Sequence, residues 1–188
     1  MALSALALCS RALLKLGAQP IASLEEGTAE AEVAANLYPS TRDALLSCHP
    51  WSFATGQMQL NRLEAVPVAD LANAFQLPAD LLRVISAGSG RGRGIPYRIH
   101  EGRLHADPAE VTLTYVFRPA ESDFPPFFAA ALVARLAAEF CLPLTEVTSR
   151  AEMLHRLAET ELRQARLADS QQATPKGIED FPLLGVRG

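Results

Sequence analysis

Residues 125–141, PPFFAAALVARLAAEFC, constrain this chain more than any other stretch. Pro125 and Pro126 open a helix with φ already set, and residues 127–141 are apolar nearly all round. Arg135 and Glu139, four residues apart, form its one wet stripe. A helix without a polar face belongs at the centre of a core, with other elements packed around it. At 188 residues and 49% hydrophobic, the chain is long enough to supply that cover in one domain, without disulfides or a metal.

The covering helices read from caps and spacing. Ser4 caps a first helix over 4–16 carrying Leu6, Leu13, Leu14 and Leu16, and Gly17 sits where a helix ends in a left-handed residue. A turn-rich link, Ala18 to Gly27, leads to Thr28, which caps a second helix over 28–49. Glu30 and Glu32 lie in its first turn, where they suit the helix dipole. Its buried stripe is predicted at Val33, Leu37, Ala44, Leu45 and Cys48. Pro39 falls inside the pattern and predicts a kink, or a split with Ser40 or Thr41 recapping the second piece. Pro50 ends the helix, and Trp51 and Phe53 are expected beneath its end.

After residue 141, Leu142-Pro143 predicts a break, and Thr145 or Ser149 starts a long polar helix to about 169. Glu146–Arg150, Glu152–Arg156 and Glu159–Arg163 are spaced four apart with the acid first, the favourable order. Val147, Ala151, Leu154, Ala158, Leu162 and Ala165 give this helix one apolar face. Residues 170–188 have no period, yet keep Ile178, Phe181, Leu183, Leu184 and Val186 after a polar spacer. That pattern predicts an extended arm that grips a partner.

Between the second and third helices the period changes. Gln57–Leu63, Leu82–Ser86, Tyr97–His100, Arg103–His105 and Val111–Phe117 are short runs separated by Gly, Pro and Asp. They predict a small antiparallel sheet inserted at about 57–118, with Glu101-Gly102 as a hairpin turn. The fold class expected is therefore mainly α with a small inserted antiparallel β region (α+β). It comprises a bundle of about four helices over residues 1–169 and the arm after them.

Lys and Arg total 17 against 21 Asp and Glu, a net charge of −4, which excludes a dedicated duplex-DNA binder with its basic excess. Arg11 and Lys15 interrupt the apolar N-terminal stretch where a signal sequence is clean, and bulky Leu8 precedes Cys9, against a lipoprotein site. The longest apolar run, Phe124 to Ala134, falls short of the roughly 20 residues that span a bilayer, so no membrane is expected. Cys9, Cys48 and Cys141 are scattered, with no CxxC, and read as buried small hydrophobes in a reducing interior.

His49, His100, His105 and His155 lie far apart, with only His100 and His105 brought near by a hairpin. No catalytic, cofactor-binding or metal-binding residue is expected, since no nucleophile elbow, Walker loop or HExxH is present. The Gly88–Gly94 loop carries Arg91 and Arg93, which suit a contact with DNA backbone or a neighbouring subunit. It runs from strand to strand, unlike a phosphate cradle, which leads into a helix N-terminus. A nucleic-acid-binding module using this loop is the alternative reading of function.

The order of segments resembles the head–tail adaptors of tailed phages, the group of podophage tail tubular protein A with its prophage and gene-transfer-agent relatives. The likeness rests on Leu16-Gly17, Pro20-Ile21-Ala22-Ser23-Leu24-Glu25, Ala35-Asn36-Leu37-Tyr38 and His49-Pro50-Trp51-Ser52-Phe53. AFQLPADLLRVIS, YRIHEGRLHAD and FPPFFAAALVARLAAEFCLPLT come after them in the family's order, so it spans roughly residues 4 to 165. Pro39 departs from the uninterrupted second helix of that pattern.

The resemblance implies a structural subunit of a homo-oligomeric ring, of about twelve copies, beneath the portal protein of a DNA-filled capsid. The ring extends the DNA channel and meets tail or stopper proteins, in a virion or phage-like particle assembled in the bacterial cytoplasm. It needs no cofactor. It implies that Ile178, Phe181, Leu183, Leu184 and Val186 contact the portal. Arg150, Arg156 and Arg163 are candidates for the contact between subunits. The scarcity of lysine, Lys15 and Lys176 alone, suits a conduit through which DNA slides without specific binding.

Overall fold

The computed structural model describes residues 3–65, 67–68, 70–89 and 94–172. Among these the elements run α1 (Ala5–Lys15), α2 (Ala29–Ser47), β1 (Thr55–Gln59), β2 (Asn73–Gln76), β3 (Leu81–Gly88), β4 (Arg98–His100), β5 (Arg103–Ala106), β6 (Thr112–Phe117), α3 (Pro126–Thr145) and α4 (Thr148–Ser170). The chain is α+β, with the strands inserted between the second and third helices.

α1 begins where Ser4 Oγ accepts the Ala7 N–H, and it ends in a Schellman motif. Gly17, at φ 71, donates to Leu14, and the Ala18 N–H reaches back to Leu13. Its buried face is Leu8, Cys9, Ala12, Leu13 and Leu16, whereas Leu14 is 59% exposed. Of the expected leucines Leu13 and Leu16 are buried and Leu6 packs against the core at partial burial; only Leu14 turns outward, and Leu8, Cys9 and Ala12 complete the stripe. On α2 likewise, Ala31, Ala34, Tyr38, Thr41, Leu45 and Leu46 are buried, Val33 and Leu37 are half-buried, and Ala44 and Cys48 face outward.

Both internal prolines are carried within continuous helices. α2 runs unbroken from Ala29 to Ser47 through Pro39, so the split does not occur. α3 runs through Pro143 to Thr145, so the break expected after residue 141 does not occur either. Each proline removes one donor, and the carbonyl that loses it belongs to the residue four earlier. Pro39 and Ala35 are both exposed; Pro143 is exposed, and Glu139 lies on the wet stripe of α3. The orphaned carbonyl thus lies on the solvent side, where its loss costs least. α3 ends instead at Glu146, in the left-handed region at φ 56, and α4 begins three residues later than its earliest expected start.

α1, α2 and α4 all pack on α3. Phe128, Leu132, Leu136 and Phe140 are fully enclosed, and Arg135 pairs with Glu139 at 2.7 Å on the one open side. By length and composition α3 is apolar enough to cross a membrane, but most of it is buried by its neighbours, as in a core helix. α4 meets α3 through Ala151, Ala158 and Ala165, spaced seven apart, with Ala134 and Ala138 opposite Ala158. Small residues on both sides let the two helices approach closely.

The strands form two three-stranded antiparallel sheets, β1-β6-β3 and β2-β5-β4, where one sheet was expected. The strand missed in the sequence is β2, four residues paired with β5. Glu101 (φ 49) and Gly102 (φ 70) make the expected hairpin turn between β4 and β5, both in the left-handed region that a type I′ turn needs. A second core fills the space between the sheets, built on Phe75, Leu104, Val111, Leu113 and Tyr115. β6 serves both cores, because alternate residues point to opposite faces: Val116 joins the helical cluster and Leu113 and Tyr115 the other.

Candidate functional site

The exit of α2 and the last turn of α4 converge on a buried carboxylate. Asp169 sits on the inward face of α4, four residues after Ala165. Its oxygens accept the Ser52 N–H at 3.0 and 3.1 Å and the Ser52 hydroxyl at 2.7 Å, and His49 Nε2 lies 3.4 Å away. Ser52 opens the 3₁₀ turn Ser52–Ala54, so Asp169 takes the role of an N-cap supplied from across the fold. Trp51 is buried beside it and donates from Nε1 to the Leu45 carbonyl at 3.0 Å. Burial holds the His49 imidazole below its ordinary value, and the cations Arg166 and Arg83 push it the same way against the attraction of Asp169.

In this cluster the carboxylate stands between the hydroxyl and the imidazole. A nucleophilic triad instead needs the imidazole in the middle. The arrangement is a clamp that fixes the end of α4. The one sequence signal for it is an acid placed on an otherwise apolar helical seam.

A second polar cluster ties α2 to the connection before α3. Arg42 contacts Asp43 at 2.9 Å and Glu121 at 3.1 Å, Arg118 grips Asp43 through two bonds at 2.7 and 3.1 Å, and Tyr38 donates to Glu121 at 2.9 Å. Burial raises the Glu121 carboxyl, but its own backbone N–H, Tyr38 and Arg42 outweigh that and hold it below the ordinary 4.5. Stability from Glu121 is therefore complete above that value and is lost as pH falls through the lower value of the folded state. Glu121→Gln is expected to lose about 1 kcal/mol at pH 7, the scale of a solvent-screened pair with one hydrogen bond. Urea unfolding at pH 7 and again near pH 3 checks this, since the gap between variant and parent closes in acid.

The sequence-predicted surface residues fare differently. Arg150 donates to the Lys15 carbonyl at 3.4 Å and so joins α4 to α1, whereas Arg156 and Arg163 are exposed on α4. Arg163 donates to Thr160 Oγ1 at 3.1 Å. Among the described residues none of the three spaced Glu–Arg pairs closes into an ion pair. Glu146 lies outside α4 and caps α3, so its pair with Arg150 lacks the helical spacing. Arg91 and Arg93 lie outside the described residues, but their loop is rooted by a pairing of Gly88 with Gly94 and by the Ile95 N–H on Ala87. Ile178, Phe181, Leu183, Leu184 and Val186 also lie outside the described residues.

His100 and His105 are brought together, ring centroids 5.7 Å apart, as the hairpin required. Among the described residues no group of three His, Cys, Asp or Glu side chains is placed to hold a metal ion. Cys9 and Cys141 are buried as expected, and burial pushes the Cys9 thiol up to about 12. Cys48 is exposed, correcting the expectation for it, and its sulfur accepts from Arg166 at 3.2 Å.

Two apolar grooves flank α3. One, of about 430 Å³, lies between α2 and α4, with Leu37, Leu45 and Leu162 on its walls and the Arg135–Glu139 pair at its lip. The other, of about 560 Å³, lies between α1 and the first half of α3 and carries Arg11 and Lys15 on its rim. No protein-family model matches the chain, and no curated protein matches its sequence.

Proposed function

We propose that this chain is a head–tail adaptor of a tailed phage or phage-like particle. Copies form a ring, of about twelve, under the portal protein; the ring extends the DNA channel and presents a platform to tail or stopper proteins. Each subunit is a helical bundle carrying a β platform, and its C-terminal arm, through Ile178, Phe181, Leu183, Leu184 and Val186, grips the portal. DNA passes without specific binding, and no bond is made or broken.

The observation that carries this reading is the ordered set of sequence segments. The architecture agrees with it: the strands 55–117 are inserted between α2 and α3, and the apolar α3 is the element around which the other helices pack. The exposed Arg156 and Arg163 on α4, with Glu152 and Glu159 beside them, leave a charged outer face available to neighbouring copies. Electron microscopy of particles assembled with the full chain, and with the chain ended after Gln172, tests the reading. The full chain is expected at the head–tail vertex as a ring with an axial hole, and the shortened chain is expected folded by circular dichroism but absent from that vertex. A full chain that never joins the vertex overturns the function, and a shortened chain that joins normally overturns the arm's role.

A further inference from the structure

We infer that the groove between α1 and α3 is a docking surface for an acidic, apolar extended segment, and that its occupant in the free subunit is this chain's own segment 178–184. α3 presents Pro126, Ala129, Ala130 and Val133 to the groove, the i, i+3, i+4, i+7 spacing of one helical face, and Phe124 closes one end. On the rim Arg11 and Lys15 stand one turn apart on α1, both exposed. Among the described residues neither closes an ion pair. Such a site calls for apolar side chains with carboxylates between them. Ile178-Glu179-Asp180-Phe181-Pro182-Leu183-Leu184 has that composition: two adjacent acids flanked by apolar residues.

Connectivity selects this occupant over a second copy. Asp169 is pinned to Ser52, whose neighbour Phe53 has its ring 6.1 Å from that of Phe124. The described chain therefore ends close to the Phe124 end of the groove. Residues 173–177, with a proline and a glycine among them, reach about 17 Å when extended, which sets how far Ile178 can travel toward Phe124. The residues after it then run beside the Pro126–Val133 face, about 10 Å long, with Phe181 about 10 Å along and Leu183 and Leu184 reaching past its end. A tether this short sets an effective concentration on the order of millimolar, above that of any partner copy in dilute solution. The inference rests on the groove and the segment and stands apart from the portal reading; it adds that the arm is sheltered until something displaces it.

Disulfide trapping in the full chain tests it. Cys48→Ser removes the one exposed thiol, leaving Cys9 and Cys141 buried. Ala130→Cys and Phe181→Cys then place one thiol in the groove and one in the segment at matching distances from Phe124, and diamide is the oxidant. The expected product is a monomer with an internal disulfide, formed faster than in a reference pairing Phe181→Cys with Leu157→Cys on the far face of α4. Arg11→Glu with Lys15→Glu is expected to slow trapping about fivefold, the effect of two surface ion pairs. Adding Glu179→Lys and Asp180→Lys restores the rate, which a merely structural loss cannot do. Disulfide-linked dimers in place of the internal bond, a rate equal to the reference, or indifference to the charge reversal overturns the inference.

Discussion

Phe128→Ala is expected to lower the unfolding free energy by about 3–5 kcal/mol, the range for emptying a fully enclosed aromatic site. The Phe128 side chain is completely buried, and its ring meets those of Trp51, Phe53 and Phe124 edge-on at 5.1, 5.0 and 4.9 Å. Those partners come from two pieces of chain, the turn after α2 and the residues leading into α3, so the hole cannot close by one local shift. Phe128→Leu, which refills much of the volume, is expected to lose roughly half as much or less. Leu157→Ala on the exposed face of α4 is expected to stay within about 0.5 kcal/mol. Urea unfolding followed by the fluorescence of Trp51 reads all three. A loss below about 1 kcal/mol for Phe128→Ala contradicts a central α3.

Asp169→Ala is expected to lose about 2–3 kcal/mol, because it strands the Ser52 N–H and hydroxyl in a partly buried site. In a chain of this size that amounts to a melting point lower by about 5–10 °C. The loss has a pH signature. The folded protein already keeps His49 neutral below its ordinary 6.5, so the unfolded chain takes up the proton first and stability falls as pH drops below that value. Among the described residues Asp169 is the one group that attracts the imidazolium there; without it, burial and the cations Arg166 and Arg83 act unopposed. The decline between pH 7.5 and 5.5 is therefore expected to be steeper in Asp169→Ala than in the parent. A variant with unchanged stability, or with a flatter pH profile, rules out the clamp.

How much of the fold is legible in the sequence depends on which forces are local. Ser4, Thr28 and Gly17 announce helix ends because caps act within three or four residues, and all three do so here. Glu101-Gly102 announces its turn for the same reason. The apolar circumference of α3 states its own burial. Pro39 and Pro143 mislead because their cost depends on whether the orphaned carbonyl meets water, which only the packed arrangement decides. β2 escapes detection because four residues with two apolar side chains carry too little pattern, and its strand character comes from β5. The Asp169–Ser52 clamp joins residues 117 apart, and Glu121 meets Tyr38 across 83. Nothing within either neighbourhood marks the partner. The two Glu–Arg spacings on α4, Glu152–Arg156 and Glu159–Arg163, are legible as pattern and yet form no pairs, since exposed side chains gain little by holding one geometry.

Strand β6 lends one side to each of the two apolar clusters. The sheet β2-β5-β4 builds its interior from the second cluster, so lengthening its turns leaves every neighbour of α3 in place. A lineage of such chains is free to remodel the outline of this appendage, to suit whatever abuts it, while the helical shaft is inherited unchanged.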